Sequence, residues 1–547
     1  MLFQIVWKIL GSILFAFSAT LLVPLFLAVY YEYISSESSL GNPSFFPFLY
    51  TLLISLACAY FFSWLGRKSE KGGLYRKEGL ISVVLIWISI PAIACLPFLF
   101  SGTLQRPTQA YFEAVSGLTT TGVSVIYPKK FDSSGKEIPY RTFVRGETDV
   151  MYSFYGTINP ILGSNGKVIA EGMQAVSKPL LFWRCFLQWL GGLGIIVIFI
   201  AILPALGVGG KILFHTEMPG PLKETLTPRL KEAAAILWKI YLGLTVIQIA
   251  LLKFANPQIP WFDAINVSFS TISTGGLVVT NESIASYQSP MVEWILVIFM
   301  VLGGVNFSLY YYCLRGKFYR LRDTELLVYL SLILLSGFFV TYQLVGTSDV
   351  SLKNPSMEPL SWSEAFRAGF FHTVSAQTST GFATVNYDKW PYVVQVVLLL
   401  LMYVGGMSGS TAGGIKVMRQ VMIFRIVQDK IELMFRPEAL RSFQIGEHRV
   451  GKDIAITVLC FVVVVVAIGS LGTFLLCLDG VDPETSFCLI SCVINNSGLG
   501  FRGAGPTDSF AFLSDFGLIL TSIWMVLGRL EYFAVLVLLV PSFWRDT

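Results

Sequence analysis

Ten long apolar runs order this chain, at roughly 9–30, 47–65, 79–101, 181–206, 234–254, 290–313, 325–345, 391–418, 453–477 and 514–541. Each is close to the ~20 residues that a helix needs to cross the hydrocarbon of a bilayer. Four shorter helical segments lie among them, about Pro107–Thr119, Pro260–Ile272, Ser361–Gln377 and Pro483–Ile494. They open on turn or capping signals and carry acidic residues early, at Glu113, Asp263, Glu364 and Glu484. They are too short to span, so they are expected to dip into the membrane and return. Each ends on a polar turn. Three turns read hydroxyl–hydroxyl–Gly, at Thr120-Thr121-Gly122, Ser273-Thr274-Gly275 and Ser379-Thr380-Gly381, and a divergent fourth reads Asn496-Ser497-Gly498. Recurrence of this kind marks internal repeats. The first interval between glycines exceeds the others by about the length of the polar segment 127–178, which is read as an insertion.

The predicted fold class is therefore an all-α integral membrane protein. Residues 1–66 form an N-terminal two-helix hairpin, because two runs precede any turn. Four membrane helix–pore helix–membrane helix repeats follow, at 79–206 (carrying the insertion 127–178), 234–313, 325–418 and 453–541, around one pseudo-tetrameric pore.

Composition supports this class. Of 547 residues 54% are hydrophobic and 13% charged, where soluble chains carry roughly 25% charged residues. The net charge of +5 gives no reason to expect a nucleic-acid partner, because the basic residues cluster between apolar runs. Basic residues crowd the loops 66–78, 207–233, 314–324 and 419–452, which fall on one side when the spans alternate. That side is predicted to be the cytoplasm, with both termini on it and the insertion outside. The N-terminal run continues to about Tyr30 without a small-residue cleavage site, as a retained helix would. Cysteines such as Cys58, Cys95, Cys185, Cys313 and Cys460 sit in apolar stretches and read as small hydrophobes. No zinc spacing, nucleophile–base motif or phosphate loop is present, and only Cys488 and Cys492, one helical turn apart, invite a metal reading. An enzyme is disfavoured.

The turns carry the candidate chemistry. A half-helix that ends inside the membrane aims the negative end of its dipole at a cation there, each by some tenths to about 1 kcal/mol. Glycine lets successive carbonyls face one axis, and four such loops suit a dehydrated monovalent cation. No ring of Asp or Glu accompanies the glycines, which argues against a calcium-type pore. Below the third turn, after Tyr403, the helix is interrupted by Gly405, Gly406, Ser408, Gly409, Ser410, Thr411, Gly413, Gly414 and Lys416. Such a break is tolerated in a membrane only where neighbours or a cavity satisfy the backbone. It is read as a gate loop, 405–416, in preference to a small-residue packing face. Arg529, inside the last run, is expected to face the pore and oppose cations, or else to pair with a neighbouring helix. Glu531, two positions on, points to another face and is a poor partner for it. Arg184 is expected to anchor at the outer interface, and His372 to be a hydrogen-bonded core residue.

These residues resemble one family. The motifs are Thr119–Gly122, Phe182-Trp183-Arg184 with Gln188-Trp189-Leu190-Gly191-Gly192, Glu217–Pro221, Thr378–Phe382, Gly405–Lys416 and Gly528-Arg529-Leu530-Glu531. Together they resemble the TrkH/TrkG/KtrB superfamily of potassium transporters over nearly the whole chain, with the hairpin favouring the TrkH/TrkG branch and the insertion departing from the usual pattern. The resemblance implies potassium uptake through one pore per subunit, with K⁺ as permeant ligand bound by Thr120/Thr121, Ser273/Thr274, Ser379/Thr380 and Asn496/Ser497 beside the filter glycines Gly122, Gly275, Gly381 and Gly498. It implies a multi-pass protein of the cell inner membrane, a homodimer, and a cytosolic RCK-type nucleotide-binding ring of the TrkA kind. The nucleotide would sit on that partner, with no cofactor on this chain. One glycine per repeat leads us to expect passage of K⁺ and Rb⁺ with weaker rejection of smaller cations. Two rivals stay open: a symporter coupling K⁺ to H⁺ or Na⁺, and a non-conducting receptor or scaffold.

Overall fold

A computed structural model describes residues 2–35, 41–67, 76–132, 134–144, 150–163, 167–201, 228–348, 350–353, 358–436, 444–445, 448–449 and 452–545. The loop lysines 68, 71, 211 and 223, the motif 217–221 and the end of the fourth apolar run lie outside the described residues. Among the described residues six helices are long and apolar enough to cross a membrane: those within Phe3–Ile34, Phe45–Leu65, Lys77–Phe100, Ala234–Ala255, Thr324–Leu344 and Ala455–Leu478. Helix Lys178–Ala201 and the break-containing stretches complete the predicted set. Large apolar side chains face outward, with Phe254 79% and Leu335 71% exposed, as lipid-facing surface requires. Polar residues gather inside. The four turns are 2% exposed or less at every hydroxyl and amide residue from Thr119 to Thr121, Ser273 to Thr274, Thr378 to Thr380 and Asn495 to Ser497.

Two expected straight spans are bent. Pro290–Gly303 and Phe307–Leu314 meet at 94°, and Asp515–Arg529 and Phe533–Leu539 meet at 109°. At the first bend Asn306 caps the new helix by accepting the Ser308 N–H at 2.8 Å. At the second, Glu531 and Tyr532 both take left-handed backbone conformations, with φ of 53° and 58°. Neither bend contains proline, the commonest sequence marker of a kink. The stretch 391–418 breaks as expected: helix Tyr392–Val404 ends at Gly405, and a second helix, Val417–Phe435, starts after the loop.

The four half-helices are Pro107–Leu118, Trp261–Ile272, Trp362–Gln377 and Pro483–Ile494, hereafter half-helices 1 to 4. Ser361 and Glu364 form a reciprocal capping box at the start of the third. Asp482 caps the fourth by accepting the Thr485 N–H at 2.9 Å. Glu113 does not serve the start of half-helix 1; it lies mid-helix, buried.

The N-terminal hairpin packs through Ser18 and Ser55, whose hydroxyls are 2.7 Å apart, and clasps Trp183 between Phe17 and Phe48. A short ribbon pairs Gln444–Ile445 with His448–Arg449, and the insertion adds most of the strands. Its three antiparallel ribbons pair Lys130–Phe131 with Glu137–Ile138, Tyr140–Val144 with Val150–Phe154, and Ile161–Leu162 with Val168–Ala170. Tyr152 fastens it to the body, its hydroxyl donating to Asp482 and accepting the Asp482 N–H at 2.8 Å. Burial beside that carboxylate pushes the Tyr152 hydroxyl up to about 12.

Candidate functional site

Each half-helix ends in the same backbone figure. Thr120, Thr274, Ser379 and Asn496 take left-handed φ values of 55°, 52°, 55° and 49°. The next residue turns its N–H back to the helix, as Thr121 to Ser116, Gly275 to Ser270, Thr380 to Ser375 and Ser497 to Cys492, at 2.7–3.0 Å. A second left-handed residue follows: Gly122, Gly276, Gly381 and Gly498, with φ of 85°, 79°, 85° and 68°. Glycine adopts that conformation without steric cost, which is why it recurs.

This corrects the reading of the second turn by one residue. The expected filter glycine was Gly275 with the pair Ser273/Thr274. In the structure Ser273 is the C-cap of half-helix 2, Thr274 and Gly275 occupy the places of Thr120 and Thr121, and Gly276 is the equivalent of Gly122.

The turns converge on one another in a closed cycle. A methyl group built on Gly122 would lie 2.0 Å from the Gly275 carbonyl oxygen, and one on Gly276 would lie 1.9 Å from that of Thr380. On Gly381 it would lie 2.7 Å from the Ser497 oxygen, and on Gly498 2.6 Å from that of Thr121. Each turn thus abuts the next, and the fourth returns to the first. Side chains stiffen the ring. Thr119 shares a hydrogen bond with Thr121, and Thr378 with Thr380, both at 2.7 Å. The amide of Asn496 donates to Thr121 Oγ1 at 2.9 Å, tying turn four to turn one. On the insertion side a cavity of about 360 Å³ opens over Gly122, Gly276, Gly381 and Gly498, rimmed by Tyr127, Glu171, Glu282 and Asp508.

The loop 405–416 closes the ring from the opposite side. Its left-handed positions are Gly405, Gly409, Gly414 and Lys416, with φ of 73°, 73°, 76° and 82°. Thr411 Oγ1 donates to the carbonyl of Ile272, the last residue of half-helix 2, at 3.0 Å. Gly414 N–H donates to Asn495 O at 3.1 Å, and Gly413 N–H to Ser379 Oγ at 2.5 Å. The two carbonyls, Ile272 O and Asn495 O, are groups that a half-helix end leaves without an intrahelical partner. A methyl on Gly413 would lie 2.0 Å from Asn495 O, so the contact demands glycine. The first part of the loop docks in the 94° bend: Met407 N–H donates to Gly304 O at 2.9 Å, and Gly409 O accepts the Phe307 N–H at 3.2 Å. Ser410 Oγ bonds Met407 O, Val417 N–H bonds Gly406 O, and Lys416 Nζ donates to Ala412 O at 2.5 Å. Arg529 holds the loop from the side, donating to Thr411 O at 2.9 Å and to Gly191 O at 3.4 Å. Its partners are carbonyls. Glu531 turns away and pairs with Arg419 at 2.6 Å.

Residues 51–545 match TrkH, described as cation transport protein. This chain belongs to the TrkH family. It is 31% identical over 552 residues to the Trk system potassium uptake protein TrkH of Salmonella typhimurium LT2, with 100% of each chain covered. It is 31% identical over 555 residues to the Trk system potassium uptake protein TrkG of Escherichia coli K12, over 99% of each. The crystal structure of the potassium transporter TrkH from Vibrio parahaemolyticus matches it with a TM-score of 0.79 at 29% identity, covering 100% of both chains. The TrkH family is one of transporters, not of enzymes.

Around the ring of this TrkH-family chain one buried carboxylate, Glu325, was not singled out by its sequence context, and others play roles that context did not show. Glu325, buried in the first turn of Thr324–Leu344, accepts the N–H groups of Ser408 at 2.7 Å and Met418 at 3.2 Å, so one carboxylate grips both ends of the loop. Arg184 is no interfacial anchor. Its Nε lies 2.6 Å from Glu113, both side chains fully buried, and its Nη groups reach Ser124 and the Val278 carbonyl. Glu113 also accepts the Val125 N–H at 3.0 Å. The pair therefore braces the strands leaving turns one and two. His372 does the same work for turn three, bonding Ala368 O through Nδ1 and accepting the Thr384 N–H on Nε2 at 3.3 Å. Cys488 and Cys492 are free thiols, and among the described residues no group of three His, Cys, Asp or Glu could hold a metal.

Removing one partner of a buried ion pair leaves an uncompensated charge, which typically costs about 3–5 kcal/mol. Arg184→Met is accordingly expected to lower the melting temperature of the detergent-solubilised protein sharply. The paired change with Glu113→Leu is expected to recover a large part. Equal losses in the single and double variants would mean the pair contributes packing alone.

Proposed function

We propose that this chain carries potassium, and rubidium, through the ring of turns, and that the 405–416 loop is its gate. The observation that carries this reading is the closed cycle in which each turn's glycine meets a backbone oxygen of the next turn. Four half-helix C-termini, their hydroxyls and these carbonyls together replace a hydration shell, and the lack of Asp or Glu within the four turns themselves suits a monovalent ion. The loop competes for those oxygens. By donating to Ile272 O and Asn495 O it occupies acceptors that a permeating cation needs, so the arrangement described is a closed one.

In this reading the insertion side faces outward and the loop faces the cytoplasm, with both termini there, in the cell inner membrane. The chain works as a homodimer, and a cytosolic RCK-type ring with bound nucleotide moves the helix Val417–Phe435 and so withdraws the loop. The potassium-uptake names of the relatives support the choice of ion. The test is growth of a host lacking its own potassium uptake on limiting potassium. Expression of this chain with its cytosolic partner is expected to restore growth. Failure to do so, with the protein present in the membrane, would refute the reading.

A further inference from the structure

Turns one, three and four place Thr121, Thr380 and Ser497 just before the left-handed glycine; the second turn has Gly275 there. The side-chain space beside Gly275 is nonetheless filled. Gln188, on helix Lys178–Ala201 of the first repeat, is fully buried, and a methyl built on Gly275 would lie 2.5 Å from its Cδ and 2.7 Å from Nε2 and Oε1. Its Nε2 donates to the Gly275 carbonyl at 2.5 Å, and its Oε1 accepts the Leu277 N–H at 3.1 Å. The carboxamide grips the chain on both sides of Gly276.

We propose that Gln188 is the side chain the second turn lacks: a positioning residue, lent by the first repeat, that fixes the Gly275 carbonyl in the ring and thereby sets discrimination among monovalent cations. Two adjacent glycines, Gly275 and Gly276, make this the turn with most backbone freedom. The hydroxyls of Thr121 and Thr380 tie their own turns to the preceding helix end, through Thr119 and Thr378. Gly275 has no such group. A carboxamide supplies one donor for a carbonyl and one acceptor for an N–H, which is what this site uses, whereas a carboxylate offers only acceptors. The space admits either the carboxamide or a side chain at Gly275, not both.

This proposal rests on the ring being the cation path. Its test uses the full chain in liposomes, with sodium-to-potassium permeability ratios from reversal potentials and initial Rb⁺ uptake. The variants are Gln188→Glu, Gln188→Ala, Gly275→Ser and the double change Gln188→Ala with Gly275→Ser. Gln188→Glu has the parent's shape and exchanges the donor for an ionisable acceptor, and the neutral Gln188→Ala separates loss of the donor from added charge. We expect Gln188→Glu and Gln188→Ala each to raise relative sodium permeability several-fold. Gly275→Ser alone, obstructed by the carboxamide, is expected to cut uptake several-fold. The double change is expected to restore both quantities toward the parent. Parental selectivity in both Gln188 variants overturns the proposal, as does a Gly275→Ser defect that persists when Gln188 is truncated. A parent that conducts no cation removes the pore reading itself, and this proposal with it.

Discussion

Alanine at Gly276 is expected to abolish growth on limiting potassium, whereas alanine at the neighbouring Gly275 leaves a measurable fraction. The two positions differ in kind. Gly276 has φ of +79°, and its added methyl would meet the Thr380 carbonyl at 1.9 Å. Backbone cannot rotate away, so the third turn itself must move. A residue forced into a sparsely populated conformation costs on the order of 1–3 kcal/mol before any overlap is counted. Gly275 has no left-handed φ, and its methyl would meet the far end of the flexible Gln188 side chain. Since 1.4 kcal/mol corresponds to a factor of ten in rate, uptake by Gly276→Ala should fall roughly tenfold or more. Equal growth of the two variants at equal membrane abundance would contradict the register described above.

Neutralising Arg529 is expected to raise flux rather than lower it. Arg529 is 4% exposed, and among the described residues its guanidinium bonds two carbonyl oxygens, one of them in the 405–416 loop. In the proposed reading it is a positive charge beside the path, and it also pins Thr411. Arg529→Gln removes the charge and the fork; Arg529→Lys keeps the charge but loses the two-pronged grip. If the electrostatic barrier dominates, Rb⁺ flux rises roughly tenfold in Arg529→Gln, equivalent to about 1.4 kcal/mol, and little in Arg529→Lys. If the grip on the loop dominates, both variants leak. Flux at or below the parent's in both would remove Arg529 from the gate.

The four half-helices were legible because their punctuation is local. A proline, a capping serine or an Asx residue starts each, a glycine-bearing turn ends it, and both signals act within a few residues. The break at Gly405 was legible for the same reason: small residues cluster there. The register of the second turn was not, because Ser273-Thr274-Gly275 matches the hydroxyl–hydroxyl–Gly pattern while the backbone obeys where half-helix 2 ends, at Ile272. Two consecutive glycines conceal which one turns. The 94° and 109° bends carry no proline, and the first receives the 405–416 loop, far away in sequence. Arg184 and Glu113 stand 71 residues apart, and Glu325 meets Ser408 across 83. Hydropathy alone could place Arg184 near a membrane end but could not supply its partner. Long-range polar pairing inside an apolar chain leaves no periodic trace.

The most direct test of the central claim, that cations pass through the ring built by this one chain, is Rb⁺ uptake into potassium-loaded liposomes holding the purified protein, with and without Gly381→Ser. A side chain at Gly381, where φ is +85° and a methyl would lie 2.7 Å from the Ser497 oxygen, must disturb two turns at once. The account predicts time-dependent Rb⁺ accumulation in the parent that this substitution abolishes. Accumulation that Gly381→Ser leaves unchanged, or its absence from the parent when the nucleotide-loaded cytosolic partner is also present, would contradict it.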